Sequence, residues 1–70
     1  MNLYLVSGHS STGRDDHVVA ARTAKQACWC VAVARRMHMK RYHADLIGVA
    51  TQRSEEPEIV LSCVDGGDDR

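Results

Sequence analysis

The chain of 70 residues has no phenylalanine, a single tryptophan and two tyrosines. Without large rings, a core has to be assembled from Val, Leu, Ile, Ala, Cys and Met, which suits a thin two-layer domain. No apolar run approaches the roughly 20 residues needed to span a membrane, and MNLYLVSGHS lacks the basic n-region and long h-region of a signal sequence. The expectation is a cytoplasmic chain that makes no use of a membrane. Cysteine is sparse and odd in number, and nothing implies an oxidising compartment, so Cys28, Cys30 and Cys63 are expected as reduced thiols. Net charge is missing too, because nine basic residues balance nine acidic ones.

What is present is globular in character. Apolar residues make up 44% and charged residues 26%, too apolar for intrinsic disorder. A chain this short makes one domain, residues 1–70, with thin stability, since only about 60% of the surface of the unfolded chain is buried at this size. The charges are segregated along it. Between Arg22 and Arg53 there are seven basic residues and only Asp45 opposes them, whereas from Ser54 onward Glu55, Glu56, Glu58, Asp65, Asp68 and Asp69 face Arg70 alone. This polarity suits a bipolar surface that orients a charged partner, unless the acidic tail folds over the basic stretch and neutralises it.

Residues 3–7 (LYLVS) read as a strand, GHSSTGRDD as a loop and residues 17–21 (HVVAA) as a second strand. Thr23 followed by Gln26 matches a capping box, so a helix should begin at Ala24. It lacks Gly and Pro to about Lys40, and Arg35, Arg36, Lys40 and Arg41 crowd the end where the helix dipole is negative. Residues 45–51 and 58–64 read as two further strands, and residues 65–70 as a frayed acidic tail. The order ββαββ predicts an α+β two-layer fold, one helix on a four-stranded antiparallel sheet.

At 100° per residue, Ala27, Val31 and Ala34 share one side of the helix, flanked by Cys30 and Ala24, and should meet the sheet. Lys25, Trp29, Arg36 and Lys40 fall opposite, within about 60°. A tryptophan among cations suggests a binding surface, because Trp and Arg are frequent interface hot spots. The competing reading lays Trp29 flat across the sheet edge or beneath the Gly-Ser loop, with Lys25 covering it.

Other chemistries fit poorly. Cys28 and Cys30 point about 200° apart on a helix, which excludes a shared metal or disulfide. A set made of Cys28, Cys30, His38 and His43 lacks zinc-ligand spacing, so neither metal nor other cofactor is expected. A hydrolytic group would need Ser10 or Ser11 in contact with His9 or His17 and with Asp15 or Asp16, and no nucleophile elbow accompanies them. SGHSSTG is not followed by the G-K-[ST] of a phosphate-binding loop. The expectation is a chain that is not an enzyme. Nucleic-acid binding is the stronger rival: ARRMHMKRYH supplies cations for phosphates, with Tyr42 and Trp29 as stacking groups.

The layout YLVS, loop, HVVAARTAKQA, helix and two strands resembles small proteins encoded by bacteriophages and mobile elements. In particular it is similar to anti-CRISPR inhibitors of type I surveillance complexes, some of which start a helix as A-x-[ST]-x-x-x-A, here Ala21, Thr23 and Ala27. The resemblance implies a non-enzymatic module that blocks a host protein or ribonucleoprotein complex in the host cell's cytoplasm; a monomer and a homodimer both stay open, since an unpaired sheet edge or an exposed Trp29 can self-associate. The partner-binding residues expected from the basic helix are Lys25, Trp29, Arg35, Arg36, Lys40, Arg41 and Tyr42. Glu55, Glu56, Glu58, Asp65, Asp68 and Asp69 form a secondary acidic patch, suited to lysine-lined channels that normally hold nucleic acid.

Overall fold

The computed structural model describes residues 1–8, 13–51 and 56–64. Along them run β1 (Asn2–Gly8), β2 (Asp15–Ala21), α1 (Ala24–Arg35), a 3₁₀ turn (Met39–Arg41), β3 (Tyr42–Val49) and β4 (Glu58–Val64). The strands make one antiparallel sheet in the order β3-β1-β2-β4 with α1 against one face, the expected ββαββ arrangement. β4 has the expected bounds, while β2 starts two residues early, at Asp15, and β3 three residues early, at Tyr42. Pairing decides this: Tyr42 lies opposite Gly8 and His43 opposite Ser7, so β1 recruits residues that look locally like a helix end. The expected tail and residues 9–12 of the expected loop lie outside the described residues.

Partners directly across an antiparallel ladder share a face. Tyr4 and Val6 on β1 therefore point to α1 together with Val19 and His17 on β2 and Ala44 on β3. Leu5, Val18 and Leu61 point the other way. Both edge strands carry a bulge, at Ile47 where the register slips against Leu3/Tyr4, and at Val60 against Val18/Val19. Such irregularities twist an edge and discourage further strand pairing.

The capping residues act as the sequence suggests, with one difference. Thr23 Oγ1 accepts the Gln26 amide N–H at 3.1 Å, but the Gln26 side chain reaches back one residue further than expected and accepts the Arg22 N–H at 2.8 Å. At the other end α1 stops at Arg35, short of Lys40. Arg36 takes left-handed backbone angles (φ 58°, ψ 45°), the Met37 N–H bonds to the Ala32 carbonyl at 2.9 Å and the Arg36 N–H to that of Val33 at 3.3 Å. This is a Schellman closure with arginine where glycine is usual.

The buried stripe of α1 is Ala27, Cys28, Val31 and Ala32. It is rotated from the expected one, so that Ala34 and Ala24 are exposed and Cys30 is only partly covered. Arg35 falls on this inward sector, and the reason is a carboxylate beneath it, described below. Val6, Val19, Ala21, Ala27 and Val31 are completely buried, and Tyr4 and Tyr42 are nearly so. Alanine on both layers lets helix and sheet approach closely, which offsets the shortage of large side chains.

A left-handed residue with a Cβ costs about 1 kcal/mol relative to glycine. Arg36→Gly should therefore raise unfolding stability by about that amount, read as a higher urea midpoint at unchanged slope. A lower midpoint would mean that the Arg36 side chain contributes more to the fold than its backbone costs.

Candidate functional site

β2 begins DDH, and strand alternation puts Asp15 and His17 on the helix side and Asp16 on the other. Asp15 is 2% exposed and His17 3%. A buried carboxylate needs partners, and three side chains supply hydrogen bonds while a fourth supplies charge. His17 Nε2 lies 2.7 Å from Oδ1, the Tyr42 hydroxyl donates to Oδ2 at 2.9 Å and Arg41 Nε reaches Oδ2 at 3.4 Å. Arg35 Nε stands 3.4 Å from Oδ1, close enough for charge attraction without forming a hydrogen bond. On the far side of the ring, His17 Nδ1 is 2.7 Å from Ser62 Oγ on β4. Gly8 makes room for the cluster: a Cβ there would lie 2.7 Å from Tyr42 Cε1 and 2.9 Å from Asp15 Oδ2.

Burial alone, the largest single influence, would push the Asp15 carboxyl up. The hydrogen bonds from His17 and Tyr42, with the charges of Arg35 and His17, outweigh it and hold the group below its ordinary 3.8. Burial and the bond to Asp15 push the Tyr42 phenol up, so it remains a protonated donor. Because an ionised carboxylate only accepts, Nε2 of His17 carries a proton, and in the neutral ring Nδ1 accepts from Ser62.

These contacts correct three of the expected partner-binding residues. Tyr42 is 7% exposed with its hydroxyl committed to Asp15, so its ring is no stacking platform. Arg35 and Arg41 are only about one third exposed, because their guanidinium groups turn inward to the same carboxylate. Lys25, Trp29, Arg36 and Lys40 are exposed, but only Lys25 and Trp29 stand on α1; Arg36 is its left-handed end and Lys40 lies in the 3₁₀ turn, so the single helical face expected for the four is not formed. Trp29 is 54% exposed and follows Lys25 by one turn of α1; Val33, one turn further on, and Met37, beyond the helix end, are also exposed apolar side chains. Beside this flank, a groove of about 400 Å³ runs between α1 and β3, lined by Lys25, Lys40 and His43 with Cys28, Met39 and Ala44. The structure thus gathers two of the expected lysines on one concavity.

Of the acidic patch, Glu56 and Glu58 are exposed, and Glu55, Asp65, Asp68 and Asp69 lie outside the described residues. His9, Ser10 and Ser11 also lie outside them. Of the letters considered for hydrolysis, His17 and Asp15 do meet, and their third partner is Ser62, 45 residues from His17 in the chain. Only the spacing Asp-x-His on a strand hinted at it. Among the described residues no three His, Cys, Asp or Glu side chains form a metal-binding group. Burial pushes the thiols of Cys28 and Cys30 up, away from the reactive thiolate, while Cys63 is exposed because it faces away from α1.

A carboxyl whose folded pKa is below its unfolded one stabilises the fold above the unfolded value and loses that contribution as pH falls through the folded value. Asp15→Asn should cost about 3 kcal/mol near neutrality. The gap between the two chains should stay constant down to about pH 4 and shrink below it, as urea melts in sucrose-containing buffers across that range would show. A gap that does not close in acid would mean that Asp15 is not ionised in the fold.

No helix of the described residues is long and apolar enough to cross a membrane. No family model, curated protein or solved structure matches this chain, so the geometry of the cluster and of the groove is what bears on its role.

Proposed function

We propose that the chain is a protein-interaction module that docks through the flank formed by Lys25, Trp29, Arg36 and Lys40 onto an acidic surface of a larger complex. The observation that carries this reading is Trp29, more than half exposed beside a groove lined by Lys25, Lys40 and His43. A large rigid indole next to cations is the pairing most often found at interface hot spots. The concavity offers an apolar floor from Cys28, Met39 and Ala44 with ammonium groups beside it, which suits an aliphatic or aromatic side chain flanked by carboxylates. The resemblance to phage-encoded inhibitors makes the proposed partner a host complex such as a type I CRISPR surveillance complex, met in the host cytoplasm and blocked by occupation of its surface. The exposed Glu56 and Glu58 give the module a second, oppositely charged region for a basic part of the same partner.

The alternative is a small nucleic-acid-binding or regulatory protein. On and beside the basic helix end, Lys25, Arg36, Lys40 and, when protonated, His43 remain outward for it, but Tyr42 is sealed and Arg35 and Arg41 are occupied, which favours the protein partner.

The two readings separate in titrations of the intact chain against a purified type I surveillance complex and against single-stranded and duplex oligonucleotides at two salt concentrations. The proposal expects binding to the complex, weakened about thirtyfold by Trp29→Ala and by at least about tenfold in Lys25→Glu/Lys40→Glu. Oligonucleotide binding that falls steeply with salt would establish the alternative, since each neutralised phosphate contributes about 0.9 to the logarithmic salt slope. Equal affinity of wild type and both variants for the complex would remove this flank as the docking surface.

A further inference from the structure

β4 is tied to β2 by a side-chain relay as well as by its ladder, and the relay ends at the surface. Ser62 is exposed, its Oγ lies 2.7 Å from Nδ1 of His17, and Nε2 of that ring lies 2.7 Å from Oδ1 of Asp15. His17 and Asp15 are 3% and 2% exposed, so bulk water does not compete for the ring. Asp15 also accepts from Tyr42 and faces Arg35 and Arg41, a set of donors that keeps it a carboxylate and fixes the proton of His17 on Nε2. In the neutral ring the lone pair on Nδ1 is thereby aimed at the hydroxyl. Hydroxyl, imidazole and buried carboxylate in this order are the parts of a serine nucleophile with its base and the group that orients the base. The ring is presented with Nδ1, rather than the more usual Nε2, toward the hydroxyl.

We propose that Ser62 is an activated nucleophile that takes an acyl group from small, activated esters, with His17 as its base and Asp15 as the positioning residue. In the first step the Ser62 Oγ–carbonyl carbon bond forms as the hydroxyl proton passes to His17 Nδ1. The ester C–O bond then breaks, and the imidazolium returns the proton to the departing oxygen. In the second step water attacks the acyl carbon, loses a proton to the same Nδ1, and the Ser62–acyl bond breaks to release the acid and restore the hydroxyl. Water is the sole co-reactant. The substrate class follows from the surroundings: Ser62 stands on an edge strand and does not line the cavity of about 190 Å³ along the β2–β4 pair, which His17 borders but whose other strand residues, Leu5, Asp16, Val18, Leu61 and Cys63, belong to the opposite face. Bulky acyl chains find no enclosed site beside the hydroxyl, whereas an acetyl group needs none. This inference is independent of the docking flank, which lies across α1 from β4.

The test treats the intact chain and Ser62→Ala with p-nitrophenyl acetate and with a fluorophosphonate, and locates the adduct by peptide mass. The substitution is at an exposed edge position, and circular dichroism establishes that both chains are folded. The expected result is an adduct on Ser62 and on no other serine. Its rate should exceed that of N-acetylserinamide by about 10² to 10⁴, the range for a positioned general base, and the adduct should be absent in Ser62→Ala. The rate comparison with the free serine amide reports the contribution of His17 without removing its buried ring from the fold. No adduct on the folded chain, adducts spread over several serines, or a Ser62 rate equal to that of N-acetylserinamide would each overturn the proposal.

Discussion

The structure is organised around one ionised carboxylate placed where water cannot reach it. Asp15 sits on the inner face of β2, and leaving such a group unpaired would cost several kcal/mol. Its partners come from all over the chain: His17 two residues along, Arg35 at the end of α1, and Arg41 and Tyr42 at the junction of the 3₁₀ turn with β3. Through His17 the same cluster reaches Ser62 on β4. A single buried charge thus connects strands β2, β3 and β4 and the helix. This matters in a domain whose apolar core is made largely of Val and Ala and gains little from any one contact.

The need to satisfy Asp15 also shapes the surface. Arg35 lies in the inward sector of α1, and its attraction to the carboxylate accounts for a helix turned so that Cys28 and Ala32, and not Ala34, meet the sheet. The same rotation carries Val33 to the outside and leaves Trp29 54% exposed. Gly8 is required where any side chain would press on Tyr42 and Asp15 together. The left-handed Arg36 then ends the helix, and the chain doubles back so that the 3₁₀ turn sets Lys40 across a groove from Lys25. The outward cations are those left over once the buried charge has taken its share.

The proposed docking flank and the proposed serine nucleophile lie on different parts of this frame and depend on it differently. The flank needs α1 seated on the sheet, which the Asp15–Arg35 attraction helps to hold, with Trp29 left outward. The nucleophile needs the register of β4 on β2, because only the pairing of His17 with Ser62 brings imidazole and hydroxyl together. The bulge at Val60 comes two residues before Ser62, so a strand that slipped there would separate the pair.

Local chemistry was enough to foresee the order of elements, the capped start of α1 at Thr23, the bounds of β4 and the outward position of Trp29 between cations. These depend on propensity, capping and helical period, which act over a few neighbouring residues. The early stop of the helix was not legible, because nothing near Arg36 announces a left-handed residue where glycine is absent. Nor was the inward turn of Arg35, Arg41 and Tyr42, which in the sequence look like any basic helix end with an aromatic. Their roles are set by Asp15, 20 to 27 residues earlier, and that of His17 by Ser62, 45 residues later. Composition and period determined that this chain folds as a helix on a sheet, whereas only strand register and the burial of one charge decided which polar groups face inward, since that depends on groups distant in sequence meeting in one low-dielectric place.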